Sequence, residues 1–335
     1  MAHQGGQTRQ RVGLEAIVVV LAIATFIAFG LAIDARGPRL FFTPENLFTL
    51  LRSASVLGML GVAMSVVVIQ RSIDLSLVAV MAVAPGWALQ RMEDGSGLYA
   101  ALACGLLLAL AVGLWNGIAS TYLDIPPLFA TLSASLFVYG LGRSSLMKLE
   151  VVYLGSEVPP WLVALGTGRL LGIPLPIWVF LGCAALTTLY LTRTRPGRFT
   201  YAMGDNPLAA RLLGVSVRPA QIANFMIAAV IAYLAGLVVA SSVSSVNVRV
   251  VKGTMIYDVI LVAVLGGIGL AGGRGRIWGV VASTILIGTL VNGMTLLNVP
   301  LYAQNIVRAV ILLVALITDS LLHPRNEETA QQGDI

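Results

Sequence analysis

The chain has 335 residues, of which 58% are hydrophobic and only 11% are charged, with a formal net charge of +6. A soluble domain carries about 25% charged residues, so this composition excludes an ordinary soluble protein. The apolar segments lack the alternation of β-barrel strands, and we predict an all-α polytopic membrane protein with one transmembrane domain over residues 1–335. The positive charge is typical of cytoplasmic loops and gives no reason to expect nucleic acid.

Ten segments approach the roughly 20 apolar residues that a helix needs to cross a bilayer. The first is longer than the apolar core of a signal peptide, which has about 7–15 residues, so we expect it to remain as a membrane helix. The second, third and eighth have Gly, Ser or charge at their boundaries and are expected to include broken helices. The predicted spans are 14–33, 51–70, 73–90, 98–120, 128–147, 174–192, 220–241, 256–272, 277–297 and 302–319.

Ten spans place both termini on the same side of the membrane. The segment 193–218 follows the sixth span and holds five arginines against one acidic residue, Asp205, which is the strongest positive-inside signal in the chain. We therefore expect this segment, the N-terminal tail 1–13 and the C-terminal tail 323–335 to be cytoplasmic. The longest loop on the other side, about 148–173, is expected to dip back towards the membrane.

A short helix is predicted within this cytoplasmic segment, over residues 207–213. Asn206 is a favourable N-cap, Pro207 suits the first helical position, and Gly214 is a favourable residue just past the end. Ala209–Ala210 is expected to present a small surface that another protein can approach closely. The alternative is a solvated connector between two spans, although a connector needs neither caps nor a small-residue face.

Several polar side chains lie in or beside the apolar spans. Asp74 and Asp258 are each followed three residues later by Leu-Val-Ala-Val, either by chance or as an inverted repeat of the kind that builds transport pathways. An Asp at mid-helix costs about 2.5–3.5 kcal/mol, and less near the interface. We expect both to act in gating or structure near a pathway, with helix capping at the interface as the alternative. Neutral polar groups could line a hydrated route, with an interhelical hydrogen bond as the alternative for each. The predicted pathway residues are Asp74, Ser76, Asn116, Thr131, Asp258 and Asn292.

The glycine-rich segment 267–272 fits the dinucleotide motif G-x-G-x-x-G. That motif requires an acidic residue about 20 positions later, and none occurs between Asp258 and Asp319, so close packing or a helix break explains the glycines better. Arg308 interrupts the last span and is expected either to reach the membrane interface or to pair with another helix. The remaining reactive or metal-binding side chains lie in apolar runs or terminal segments and predict neither catalysis nor a metal site: Cys104, Cys183, His3 and His323.

A family resemblance centres on the predicted short helix. The stretch LAARLLG, Leu208–Gly214, resembles the coupling-helix signature of ABC-importer permeases, and the residues around it resemble the ribose/monosaccharide branch. The likeness covers roughly residues 45–320. Further blocks similar to that family are Ile73–Ser76, Gly113–Leu132, Leu265–Gly279 and Val291–Val299.

The resemblance implies a bacterial inner-membrane subunit that works with partners. A periplasmic solute-binding protein delivers solute, two permease chains form the pathway, and a cytoplasmic ABC ATPase receives the coupling helix. The chain has no G-x-x-x-x-G-K-[ST] phosphate loop, so ATP and Mg are expected on the partner ATPase, with no cofactor in this chain. The residues implied to couple to the ATPase are Asp205, Asn206, Pro207, Leu208, Ala209, Ala210, Arg211 and Gly214.

The chain departs from the family pattern at four places, which favours an atypical member or one half of a heterodimer. The departures are Arg71–Ser72 where the family has Gly-Gly, Leu77–Ala79 where it has small polar residues, Leu208 where it has an acid, and Ile256 where it has Glu.

Import of a monosaccharide such as ribose is the function that the resemblance implies. Branched-chain amino acids, nucleosides or a signalling furanose are alternative solutes within the superfamily. An ion-coupled secondary transporter is the alternative of another class, and it would place paired ionisable groups inside its spans. Asp74, Asp258 and Arg308 are the candidates for such a relay.

Overall fold

The structure is a computed structural model that describes residues 4–35, 40–155 and 158–322, with side chains from residue 16 onward. The predicted tail 323–335, with His323, and His3 lie outside the described residues, as do the side chains of the predicted tail 1–13.

Thirteen α-helices and four very short strands form the described part of the chain. The helices are α1 (Gln4–Asp34), α2 (Pro44–Ile69), α3 (Leu77–Glu93), α4 (Leu98–Thr121), α5 (Pro127–Leu141), α6 (Pro160–Thr167), α7 (Leu175–Arg193), α8 (Arg195–Asp205), α9 (Pro207–Leu212), α10 (Val217–Val243), α11 (Met255–Leu265), α12 (Ile277–Leu296) and α13 (Leu301–Leu322). The strands are β1 (Val151–Tyr153), β2 (Arg169–Leu170), β3 (Ile173–Pro174) and β4 (Ser245–Asn247). The predicted all-α polytopic class is confirmed.

Seven helices in the described part of the chain are long and apolar enough to cross a membrane: α1 from Ala16 onward, α2, α4, α7, α10, α12 and α13. Each of the ten predicted spans overlaps a helix, but α3, α5 and α11 have only 17, 15 and 11 residues. An 11-residue helix rises about 16 Å, roughly half the hydrocarbon thickness. Ten crossings therefore remain a prediction.

Helices α2 and α10 form the centre of the bundle. Helix α10 packs against α2, α3 and α4, and most residues of α2 and α10 are buried. The close approach of α4 depends on Gly113 and Gly117, where a Cβ atom would lie 2.8 Å from the Cα atoms of Met226 and Ile222 on α10. Such close contact through small residues is typical of helix packing in membranes. In contrast, α13 is largely exposed and apolar, as expected for a helix that faces lipid.

Contacts between the ends of helices show which ends lie on the same side of the bundle. At the end where α9 lies, which we call the α9 end, the amide of Gly273 donates to the carbonyl of Ile69 at 2.8 Å, and Arg218 stacks on Tyr122. Helix α3 therefore leaves the α9 end, whereas α11 runs towards it. The two Leu-Val-Ala-Val segments run in opposite directions, as an inverted repeat requires.

The opposite end is covered by a small polar cap. Strands β1 and β4 pair antiparallel with Val152 opposite Val246, and Lys148 Nζ lies 2.5 Å from Asp94 Oδ1. The hydrogen bond from Lys148 lowers the pKa of the Asp94 carboxyl. Within the long loop that was expected to dip back, α6 packs against α10 and buries Leu162.

Candidate coupling helix and polar networks

Helix α9 forms where its local chemistry predicted it. The side chain of Asn206 accepts a hydrogen bond from the amide of Ala209 at 2.9 Å, and Pro207 occupies the first turn. Gly214 follows the helix with φ at +78°, a left-handed conformation that suits glycine. The predicted range of 207–213 is correct to within one residue.

The orientation of α9 differs from the prediction at Ala210. This residue is only 3% exposed and packs with Met203, Val217 and Ala220. Ala210 therefore cannot present a small surface to another protein, because that face of α9 already lies against α8 and α10. The residues that face outward are Leu208, Arg211, Leu212 and Leu213.

Helix α8 was missed by the sequence analysis, which placed only the helix 207–213 in the cytoplasmic segment 193–218. Its start is capped by Thr194, whose hydroxyl accepts from the amide of Gly197 at 3.1 Å, and proline occupies its first turn. Its apolar residues Phe199 and Met203 are four positions apart and face the same packed cluster as Ala210. This spacing was the available signal for an amphipathic helix. Helix α9 therefore packs against α8 through this cluster.

The C-terminal end of α8 fits tightly against two other segments. A Cβ atom at Gly204 would lie 1.8 Å from the carbonyl oxygen of Ile69 and 2.5 Å from the amide nitrogen of Gly273. Gly273 itself has φ at +71°. We call this contact the junction: residues 69–72, 204–205 and 272–273. The glycine-rich segment is therefore a helix break that admits close backbone contact, as predicted.

Four of the six predicted pathway residues form one network. Asp74 Oδ1 accepts from the Ser76 amide at 2.8 Å and the Ser76 hydroxyl at 2.6 Å, and Asn116 Nδ2 donates to Ser76 Oγ at 2.8 Å. The Thr131 hydroxyl donates to the carbonyl of Ile73 at 3.0 Å and accepts from the amide of Leu75. The turn before α3 is thus fastened to α4 and α5.

These four side chains do not line a hydrated route in the state that this structure describes, and their place beside a pathway stays a prediction. Asp74, Ser76, Asn116 and Thr131 are all buried. They form interhelical hydrogen bonds instead, which was the stated alternative. Asp74 Oδ2 and Asn116 Oδ1 are buried without a hydrogen-bond partner among the described residues, which makes this network energetically costly.

The other two predicted pathway residues lie elsewhere and are also paired. Asp258, in the first turn of α11, forms an ion pair with Arg308 of α13. Asn292 of α12 exchanges two hydrogen bonds with Asn46 of α2, at 2.9 and 3.1 Å. These contacts join helices, so both residues have a structural role here. Arg308 pairs with another helix, as one of its expected alternatives.

A second buried network was not predicted. Asn224 of α10 donates to Gln70 Oε1 at 2.7 Å and to Thr200 Oγ1 at 2.9 Å, and Tyr190 donates to Asn224 Oδ1 at 2.7 Å. It connects α7, α8 and α10 with the end of α2. Because Gln70 and Asn224 are 154 residues apart, no local pattern indicates this contact.

Asn224→Leu is expected to lower the free energy of unfolding by about 1–3 kcal/mol, because Gln70, Thr200 and Tyr190 lose a buried partner. Tyr190→Phe removes one of these hydrogen bonds and should cost less. Thermal unfolding of the purified protein in one detergent measures both. Equal stability of Asn224→Leu and the unchanged protein would contradict the importance of this network.

Comparison with known proteins assigns the chain to a family. The model of a family described as the permease component of branched-chain amino acid transport systems matches residues 46–316. No solved structure matches the chain.

Curated relatives match over most of their length. The ribose import permease protein RbsC of Escherichia coli is 33% identical over 308 residues, which are 92% of either chain. The L-arabinose transport system permease protein AraH of Escherichia coli is 35% identical over 281 residues, 83% of this chain and 84% of that one. The xylose transport system permease protein XylH of Haemophilus influenzae is 29% identical, over 92% of this chain and 97% of that one.

The fold and these matches define a class first: a multi-pass helical membrane protein that serves as a transport subunit. More narrowly, the chain belongs to the family of transport-system permease components whose model covers residues 46–316. The resemblance found over roughly residues 45–320 is thereby confirmed.

Proposed function

We propose that the chain is the membrane-spanning subunit of an ATP-driven, binding-protein-dependent importer of a monosaccharide. The observation that carries this proposal is the outward face of α9. On this capped helix Leu208, Leu212 and Leu213 are exposed beside Arg211. Exposed leucines outside the apolar spans are typical of a protein-binding surface. Membership of the permease family supports a cytoplasmic ABC ATPase as the partner.

The proposed segment for ATPase docking is residues 205–214. Asp205, Asn206, Pro207 and Gly214 set the position and ends of α9, while its outward face makes the contact. Ala209 and Ala210 support it from within. ATP and Mg bind to the ATPase. Helix α9 of this chain then moves with the ATPase surface that it contacts.

The proposed orientation places the α9 end in the cytoplasm and the protein in a bacterial inner membrane. Five arginines in 193–218 against one acidic residue support this side through the positive-inside rule. If ten helices cross, both termini are cytoplasmic as well. The cap formed by β1, β4 and the neighbouring loops then faces the periplasm, where a solute-binding protein would dock.

Two permease chains, identical or different, would form the solute pathway between them. In this arrangement the network of Asp74, Ser76, Asn116 and Thr131 braces the turn beside the pathway and does not contact solute in the state seen here. Asp258 joins α11 to α13, and Asn292 joins α12 to α2. A monosaccharide is the proposed solute because three similar permeases are named for ribose, L-arabinose and xylose.

Purification from native membranes in mild detergent tests this proposal. We expect an ATPase to co-purify, and reconstituted complexes with the binding protein to take up labelled ribose, arabinose or xylose only with Mg-ATP. Vesicles that contain this chain alone should take up none of these sugars. Uptake by the chain alone, driven by an ion gradient, would instead establish a secondary transporter and contradict the proposal.

A further inference from the structure

Arg71 has an unusual backbone conformation at the junction. Its φ is +67°, in the left-handed region that is unfavourable for a residue with a Cβ atom. It lies two residues after Ile69, the last residue of α2, and three residues before Asp74. A conformation of this kind persists where surrounding contacts compensate for it.

The compensating contacts are made by the guanidinium group. Arg71 Nε donates to the carbonyl of Gly204 at 2.6 Å, and Nη2 donates to the carbonyl of Asp205 at 2.6 Å. These are the last two residues of α8, where a cation also interacts favourably with the helix dipole. The side-chain stem crosses Gly272, where a Cβ atom would lie 2.4 Å from Arg71 Cγ. The arginine therefore holds the α8 end with two charge-assisted hydrogen bonds.

The neighbours of Arg71 extend this link on both sides. Asp205 directly precedes Asn206, the N-cap of α9. On the other side, Gln70 bonds to Asn224, and the turn continues into Asp74 and the network that fastens α3 to α4 and α5. A displacement of α9 thus has a short, hydrogen-bonded route to the start of α3.

We infer that Arg71 is a positioning residue that transmits movement of α9 to the α2–α3 turn, residues 70–76. This inference rests on the proposed function, because it takes an ATPase as the source of the movement. The route is a contiguous set of contacts from the N-cap of α9 through Asp205 and Arg71 to the turn.

Hydrogen–deuterium exchange on the permease–ATPase complex tests the inference without knowledge of the solute. Exchange is compared without nucleotide and with the Mg complex of a non-hydrolysable ATP analogue. In the unchanged complex we expect nucleotide to alter exchange in both 205–214 and 70–76. Arg71→Gly removes both hydrogen bonds and relieves the backbone strain, so it should preserve folding. In this variant the response at 205–214 should remain, while the response at 70–76 is lost.

Arg198→Gln is the matched control, because it removes an exposed positive charge from α8 outside the junction. It should preserve both responses. A response at 70–76 that survives Arg71→Gly would overturn the inference alone, and loss of both responses would make Arg71 part of the docking surface and overturn it too. Absence of any response at 205–214 in the unchanged complex would contradict the proposed function, and the inference with it.

Discussion

Leu212→Glu is expected to prevent the ATPase from binding and to abolish ATP-driven uptake, while membrane insertion and thermal stability stay unchanged. Leu212 is 80% exposed, so the substitution disturbs no packing within the chain. At the centre of a protein interface, however, a buried unpaired carboxylate should cost about 2 kcal/mol or more, which is roughly thirtyfold in affinity. The amount of ATPase that co-purifies with the permease measures this effect.

Leu171→Glu is the matched control for that experiment. Leu171 is 84% exposed in the turn between β2 and β3, on the side of the molecule away from α9. The same substitution at similar exposure should leave ATPase co-purification unchanged. If both variants lose the ATPase equally, the effect is a general loss of integrity, and if neither does, α9 is not the docking site.

Arg308→Leu is expected to lower the free energy of unfolding by about 3–5 kcal/mol, because Asp258 would remain as a largely buried carboxylate without its cation. The two side chains are only 12% and 14% exposed. Replacing both partners, as Asp258→Leu with Arg308→Leu, should recover much of the loss, since no isolated charge then remains. Thermal unfolding in detergent measures both variants.

Arg249→Leu provides the comparison for the ion pair. Arg249 pairs with Glu150 in the cap at the opposite end, and its side chain is 71% exposed. Solvent screens such a pair, so its loss should cost at most about 1 kcal/mol. Equal destabilisation by Arg308→Leu and Arg249→Leu would show that burial of the Asp258 pair has no energetic consequence.

The features predicted from sequence are those that depend on neighbouring residues. The caps of α9, Asn206 and Gly214, act within one helical turn, and hydropathy marks each span along the chain. The break at 267–272 followed from its glycines in the same way. Helix α8 was missed because its charged residues dominate its average hydropathy, although Phe199 and Met203 share a face.

The features that could not be predicted depend on long-range packing. Nothing near Ala210 in the sequence shows that Met203, Val217 and Ala220 cover it. Likewise, Asp74 is buried because α4 and α5 lie around the turn. The separation of Asp74 and Asn116 along the sequence does not predict that they meet. The sequence could identify polar residues within the bundle, but only the fold decides whether they face a cavity or each other.

Cysteine labelling tests the central claim, that α9 is a cytoplasmic docking site for a separate ATPase. The chain has only two cysteines, Cys104 and Cys183, so a background without them needs two substitutions to alanine. In that background, Leu212→Cys should react with a membrane-impermeant maleimide in inverted vesicles stripped of ATPase, but not in intact cells. Rebinding of the ATPase should block the reaction. Labelling from the outside of intact cells, or labelling that the bound ATPase does not reduce, would contradict the account.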